Sequence, residues 1–281
     1  MELGSLLKPI YLVLSLFFEP IFLRRAALTL FLLAPVTAGA GVLVVNQRLT
    51  FFADAVGHTV FTGVALALIL GWPERPVVLL TGALVGLGVV YLSRHSHLAS
   101  DTVIGLVFSG TIALSLALVS RHSSAARGLA RFFLGDVLTV TENEIAALAF
   151  LVALSLIFLF FFFNQLTLES LSPILARSRH PIKSQFAPYL FGVWLALVVT
   201  VAVWLVGVLL VTALLVAPAA AGRCRATSAG NMFWGAQAVA LVSGQAGLYL
   251  STRPQINMAT GTTVVLAAVA LFILAYLFRR H

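Results

Sequence analysis

Eight apolar runs, most of them near the length that crosses a lipid bilayer, follow one another along this 281-residue chain: 26–46, 54–71, 76–93, 102–120, 143–163, 188–222, 231–250 and 262–278. Inside hydrocarbon no water satisfies a free backbone N–H or C=O, so a spanning chain must be helical or must close into a barrel. Barrel strands are shorter and alternate in polarity, a pattern this sequence lacks. Its charged fraction is 9% and its hydrophobic fraction 61%, whereas a soluble domain carries about 25% charged residues. The expected fold is therefore all-α: one polytopic helical membrane domain over 1–281, with about eight to nine spans.

The run 188–222 is too long for one crossing of about 17 to 25 residues, and Gly207 lies where a break lets the chain return. Divided into 188–206 and 208–222, with Pro218 able to bend the second piece, it brings the expectation to nine spans. Residues 1–25 carry Glu19, Arg24 and Arg25 after the short apolar stretch Ile10 to Phe18, which reads as an uncleaved interfacial segment rather than a signal peptide. A second short interfacial helix is expected within 121–142, over 127–136.

Arg48, Arg94, Arg177, Arg179, Lys183, Arg223 and Arg225 fall on one side of this topology, and their density assigns that side to the cytoplasm. The formal charge of +8 follows from the same bias and from anionic lipid, so no nucleic-acid partner is implied. Cys224 is the only cysteine, which excludes an intrachain disulfide and a thiolate metal cage.

Asp54 and His58 stand at the head of an otherwise lipid-compatible segment. Ionisable groups inside a span are costly and mark function by default. Four residues apart on a helix, the two share one face within reach of a single small ion. A carboxylate oxygen with an imidazole nitrogen suits zinc, manganese or iron(II). Two ligands do not complete a site, so others come from elsewhere in the chain, from water or from the same pair on a second copy. The rival reading is structural: Asp54 caps a helix starting at Ala55 and His58 bonds a neighbouring carbonyl.

His95 and His97 read as a solvated loop face, with a metal entry or exit point as the alternative, and Asp101 reads as a cap for the next span. Asp136, Glu142 and Glu144 border the 143–163 helix, where acids favour the helix dipole. Gly63, Gly105, Gly110, Gly207 and Gly261 are read as sites of close helix packing. In the basic loop 164–187, Ser172 can cap a short helix with Pro173 at its first position, and Pro181 ends it. Such a helix suits docking of a soluble partner. A phosphate-binding loop, an H-E-x-x-H and a G-x-S-x-G are all lacking from the sequence, so ATP is handled by a partner and hydrolytic chemistry is disfavoured.

Several segments, in order, resemble the membrane permease of bacterial ABC transporters for the divalent metals zinc, manganese and iron. Phe51-Phe-Ala-Asp-Ala-Val-Gly-His-Thr-Val-Phe-Thr-Gly-Val-Ala65 resembles the family's D-x-x-x-H run, Ser100-Asp-Thr-Val-Ile-Gly105 its Asp-Thr-x-x-Gly segment, and Phe133-Leu-Gly-Asp136 its Phe-Gly-Asp turn. Val206 to Ala221 is similar to its Gly-to-Pro-Ala-Ala helix. The resemblance implies an ABC importer permease-like fold in the bacterial plasma membrane, working as a homodimer with two cytoplasmic ATPase subunits and an extracytoplasmic metal-binding protein. It also implies that Asp54 and His58 contact the transported ion, zinc first, then manganese or iron. Ser172, Pro173, Ile174, Leu175, Ala176 and Arg177 then form the ATPase-coupling helix, and no resident cofactor is expected. The chain departs from the family at Arg179-His180-Pro181, where a glycine is common, at Asn46-Gln47-Arg48, which holds one arginine in place of two, and near Asn257 to Gly261, which lacks the usual proline. Two alternatives remain at this stage: a permease for metal chelates or a small solute, and an intramembrane enzyme using Asp54 and His58 as an acid–base pair.

Overall fold

The computed structural model describes residues 20–120, 137–256 and 258–278; the expected interfacial segments at 1–25 and 127–136 lie almost wholly outside them. Ten α-helices follow in order: α1 Ile21–Asn46, α2 Phe52–Leu70, α3 Glu74–His95, α4 Ser100–Ser120, α5 Glu142–Leu171, α6 Pro173–Arg179, α7 Pro181–Val206, α8 Val208–Arg225, α9 Ala229–Ser251 and α10 Thr260–Leu277. No strand occurs among the described residues. One short 3-10 turn, Val137–Thr139, leads into α5.

Among the described residues eight helices are long and apolar enough to span a bilayer, within the expected eight to nine; α6 is too short, and α9 has the length but not the apolarity. Two glutamines account for the lower apolarity of α9. Gln237 and Gln245 each donate from Nε2, at 3.0 Å, to the Pro35 and Ala27 carbonyls of α1. The polarity of α9 is consumed against another helix rather than shown to lipid. α9 also packs on α8 and α10.

α1 is the centre of the bundle. From Ala26 to Val44 it is buried nearly throughout, with Leu28, Leu33 and Leu43 wholly inside. α7 is the second buried axis, contributing Phe191, Leu195 and Val199 to the same core. α3, α4, α5 and α10 lie outside these and present Leu84, Leu106, Leu116, Phe160 and Leu266 outward, an apolar exterior that matches lipid.

The break at Gly207 is present: φ 85 and ψ 160 end α7 and start α8, a conformation that only glycine adopts without strain. The packing role expected of five glycines holds unevenly. A Cβ on Gly63 would lie 2.8 Å from the Val78 Cα, whereas Gly105 and Gly110 have nothing within 4 Å, so the lipid-facing side of α4 does not use them. The tightest approach was not anticipated: a Cβ on Gly41 would fall 1.9 Å from the Leu215 carbonyl oxygen, where α1 crosses α8.

Arg48, Arg94, Glu169 and Ser170 line one cavity, so the ends of α1, α3 and α5 meet on one face. We call it the basic end; the positive-inside rule makes it cytoplasmic. The opposite end is tied by Arg25–Glu142 at 2.6 Å and Arg75–Glu144 at 3.4 Å.

Gly41→Val forces the α1–α8 crossing apart and is expected to destabilise the fold by about 1–3 kcal/mol or more. Gly88→Ala has open space and is expected to be neutral or stabilising by roughly 0.5–1 kcal/mol. Thermal unfolding in detergent checks both; equal midpoints for the two variants would contradict the crossing.

Candidate metal site and docking helix

α1 ends with Leu49 N–H donating to the Val44 carbonyl at 2.9 Å and Arg48 N–H to the Val45 carbonyl at 3.4 Å. This is a Schellman closure, in which the residue after the helix is left-handed and is usually glycine. Here it is Arg48, at φ 58, the one described non-glycine residue with positive φ. The arrangement costs about 1–2 kcal/mol. It turns the chain within five residues into α2, whose first turn carries Asp54.

Along α2 the positions Phe52, Ala53, Val56, Gly57 and Val60 are buried against the bundle, while Phe51 is exposed and Asp54 and His58 are half-buried. The two candidate ligands therefore share the opening side of an otherwise buried helix, as their spacing predicts. The helix begins at Phe52 with Phe51 at its cap, so Asp54 lies within the first turn and not at a cap position. None of the three ion pairs among the described residues involves Asp54.

His58 is fixed by rings. Its imidazole lies 5.0 Å from Phe108 of α4 in an edge-on contact and 5.5 Å from Phe61. One turn further, the Thr62 and Ser115 hydroxyls are 2.6 Å apart, and Ser115 donates to the Thr111 carbonyl at 2.7 Å. Asp54, His58 and Thr62 form a polar stripe at i, i+4, i+8, and α4 supplies its second wall. Thr62, Phe108 and Ser115 were not read from the sequence, although the spacing of Thr62 was visible there.

No group of three or more His, Cys, Asp or Glu side chains able to hold a metal occurs among the described residues. Among the described residues, one copy thus brings an oxygen and a nitrogen ligand to this face through Asp54 and His58. His95 stacks on Tyr91 at 4.3 Å and bonds its carbonyl at 2.9 Å on an exposed face, and His97 lies on the same exposed turn. Asp101 sits in the first turn of α4 rather than at its cap. Glu142 and Glu144 are held by the arginine pairs above, with Glu144 also closing a capping box on Thr141; Asp136 lies outside the described residues.

α5 runs 30 residues, about 45 Å, well past the hydrocarbon thickness of about 30 Å, and carries its polar end into α6. Ser172 Oγ accepts from Leu175 N–H at 3.4 Å and Pro173 occupies the first helical position, as expected. Ala176 is fully buried and anchors the short helix, while Ile174 is 80% exposed and Leu175 59%, beside exposed Arg177 and Arg179. His180 then separates α6 from α7, so Pro181 both stops one helix and starts the next. The short helix thus exposes two apolar side chains within a basic rim.

Spanning helices around an ionisable pair, with an exposed basic helix at one end, define a polytopic transport subunit. The profile described as the ABC 3 transport family matches residues 20–279, and the chain belongs to that family. It is 30% identical over 255 residues to a manganese import system permease protein of Streptococcus gordonii, covering 91% of this chain and 90% of that one. To the high-affinity zinc uptake system membrane protein of Haemophilus influenzae it is 29% identical over 265 residues, covering 94% and 99%. Its fold is similar to a chain of PsaBC from Streptococcus pneumoniae in complex with Fab, with TM-score 0.78, 27% identity and 95% of each chain covered. The protein is thus a multi-pass transport component of the bacterial plasma membrane, and the enzyme alternative falls away.

Ser172→Ala removes the cap acceptor of α6 at a cost of about 1 kcal/mol. Amide exchange across 174–176 is expected to rise several-fold with the long helices unchanged; unaltered exchange would mean that Ala176 alone holds the helix.

Proposed function

We propose that this chain is the permease of an ATP-driven importer of divalent first-row metal ions, in which Asp54 and His58 contact the ion in transit. The observation that carries the reading is their placement on the open side of an otherwise buried helix, in a chain whose relatives are named for manganese and zinc. A pair of copies supplies two carboxylates and two imidazoles, the four ligands that a tetrahedral ion takes. Transport demands a compromise: contacts strong enough to replace water and weak enough to release the ion. A secreted metal-binding protein delivers the ion, and separate cytoplasmic ATPase subunits dock on Ser172 to Arg177 and supply the energy.

Manganese is named more often than zinc among the relatives, beside the zinc-first order expected from the sequence. Mixed nitrogen and oxygen ligands accept both ions, and selectivity then rests on geometry and supply. Competition between manganese and zinc for uptake by vesicles holding the assembled transporter ranks them.

Asp54→Ala and His58→Ala are each expected to reduce uptake of either ion to background while the protein remains folded in the membrane. Unchanged uptake of both ions by both variants would end the proposal for this pair. Ligation needs a neutral imidazole, so protonation removes a ligand and affinity is expected to fall as pH is lowered; affinity unchanged from about pH 8 down to the lowest pH at which the complex stays folded would show that His58 does not ligate.

Replacing Pro173 to Ala176 with glycine is expected to uncouple ATP hydrolysis from uptake without loss of metal binding. Crosslinks placing this loop on the outer face would refute the docking role.

A further inference from the structure

Where the basic ends of α1, α3, α5 and α7 converge lies a cavity of about 360 Å³. One wall holds Glu169, three residues before Ser172, the cap of the docking helix. Another holds Leu49 and Phe52, the turn that leads into Asp54. Gln47, Ser93 and Arg94 belong to its polar lining, with Asn46, Arg48, Ser100 and Ser170. The space therefore adjoins both the element that would receive force from an ATPase and the element that carries the candidate ion ligands.

Arg94 is the joint across this region. Its Nη2 donates to Glu169 Oε1 at 2.5 Å, and its guanidinium lies 5.6 Å from the Tyr189 ring centroid on α7. Arg177 of the docking helix adds a second favourable charge to Glu169. The other half of the carboxylate is unsatisfied: Glu169 Oε2, Gln47 Nε2 and Ser93 Oγ are all buried without a hydrogen-bond partner, and all three residues line the cavity. Ser96, Gln165, Thr167 and Ser184, from the same helix ends, also carry buried unpaired atoms. Only Thr200 and Gln245 do so elsewhere among the described residues.

Buried polar atoms are nearly always paired, with protein or with water. A polar cavity of this size has room for several waters. A bound cation is a poorer occupant, because Arg48 and Arg94 oppose the single Glu169. The unpaired groups are also chemically complementary: an amide donor, a hydroxyl and a carboxylate oxygen on residues that line the same cavity. Next to them the chain turns through a left-handed Arg48, which is strained in the arrangement seen.

We propose that Glu169 and Arg94 are positioning residues that transmit movement of the docking helix to Asp54 and His58 by a change of hydrogen-bond partners across this cavity. In the arrangement seen, Glu169 holds Arg94 and the cavity is open. In the second, Glu169 accepts from the Gln47 amide and the Ser93 hydroxyl, water leaves, and the α1–α2 turn is drawn toward α5 with Asp54 upon it. Two discrete arrangements of one network are what coupling between separated sites requires. The inference rests on the transport reading given above and adds the residues through which the docking helix acts.

The test uses the assembled transporter, permease with its ATPase subunits in lipid nanodiscs and vesicles, with Mn²⁺ as the probe. Glu169→Ala and Arg94→Ala are expected to leave Mn²⁺ affinity and ATPase co-purification within about twofold while uptake falls about tenfold or more and Mn²⁺ no longer stimulates hydrolysis, a loss within the usual range of coupling. The exchanged pair Arg94→Glu with Glu169→Arg restores part of the stimulation. Gln47→Ala leaves the ion pair intact and is expected to lower maximal uptake with half-saturating Mn²⁺ unchanged. If a single substitution does not reach the membrane, Gln47→Ala decides alone. Uptake and stimulation within about twofold of the parent for Gln47→Ala and Glu169→Ala would overturn the proposal, as would a fall in Mn²⁺ affinity as large as the fall in uptake. Absence of Mn²⁺- and Zn²⁺-dependent uptake by the parent transporter would instead remove the transport reading beneath it.

Discussion

Hydrocarbon leaves a backbone no partner except itself, and that constraint organises this protein. Within the spans almost every residue is helical, and even the three interior prolines, Pro35, Pro188 and Pro218, are carried inside continuous helices. Departures from helix are confined to helix junctions, and each has its own chemistry: a left-handed arginine after α1, glycine between α7 and α8, and serine–proline followed by histidine–proline around α6. Side chains add cross-links between helices, as where two glutamines of α9 bond carbonyls of α1.

The candidate ligands gain their position from the same constraint. α2 is pressed into the bundle along Phe52, Val56 and Val60, and α4 closes on it through the Thr62–Ser115 contact. What is left is one side of the first two turns, where Asp54 and His58 are half-buried. An ion held there exchanges water for protein ligands without being enclosed by one chain. A closed cage would bind without releasing, so a site left incomplete by one chain suits the transport role proposed above.

Much of this was legible in the sequence because lipid imposes length and polarity directly. The number of helices, the break at Gly207, the cap at Ser172 and the shared face of Asp54 and His58 all follow from local rules. What escaped depends on which helix meets which. Gly41 and Gly105 look alike in sequence, yet one touches the α8 backbone and the other faces open space. α9 reads as a span by length, and only its partner α1 explains its glutamines. Phe108 and Ser115 join the site because α4 lies against α2, a pairing that no periodicity along either helix encodes.

The two ends of the bundle differ in how completely they are satisfied. At the outer end, Arg25–Glu142, Arg75–Glu144 and the Thr141 capping box hold the starts of α1, α3 and α5 together. Exposed pairs of this kind contribute little stability, about 0–1 kcal/mol each, but they set register. At the basic end one ion pair stands beside a cavity, and seven of the nine buried unpaired side-chain atoms gather there, on Gln47, Ser93, Ser96, Gln165, Thr167, Glu169 and Ser184. A closed network has one low-energy arrangement, whereas an open one has alternatives close in energy. On the proposal above, the outer end is the pivot and the basic end the part that moves, beside Ser172 to Arg177 and within one turn of Asp54.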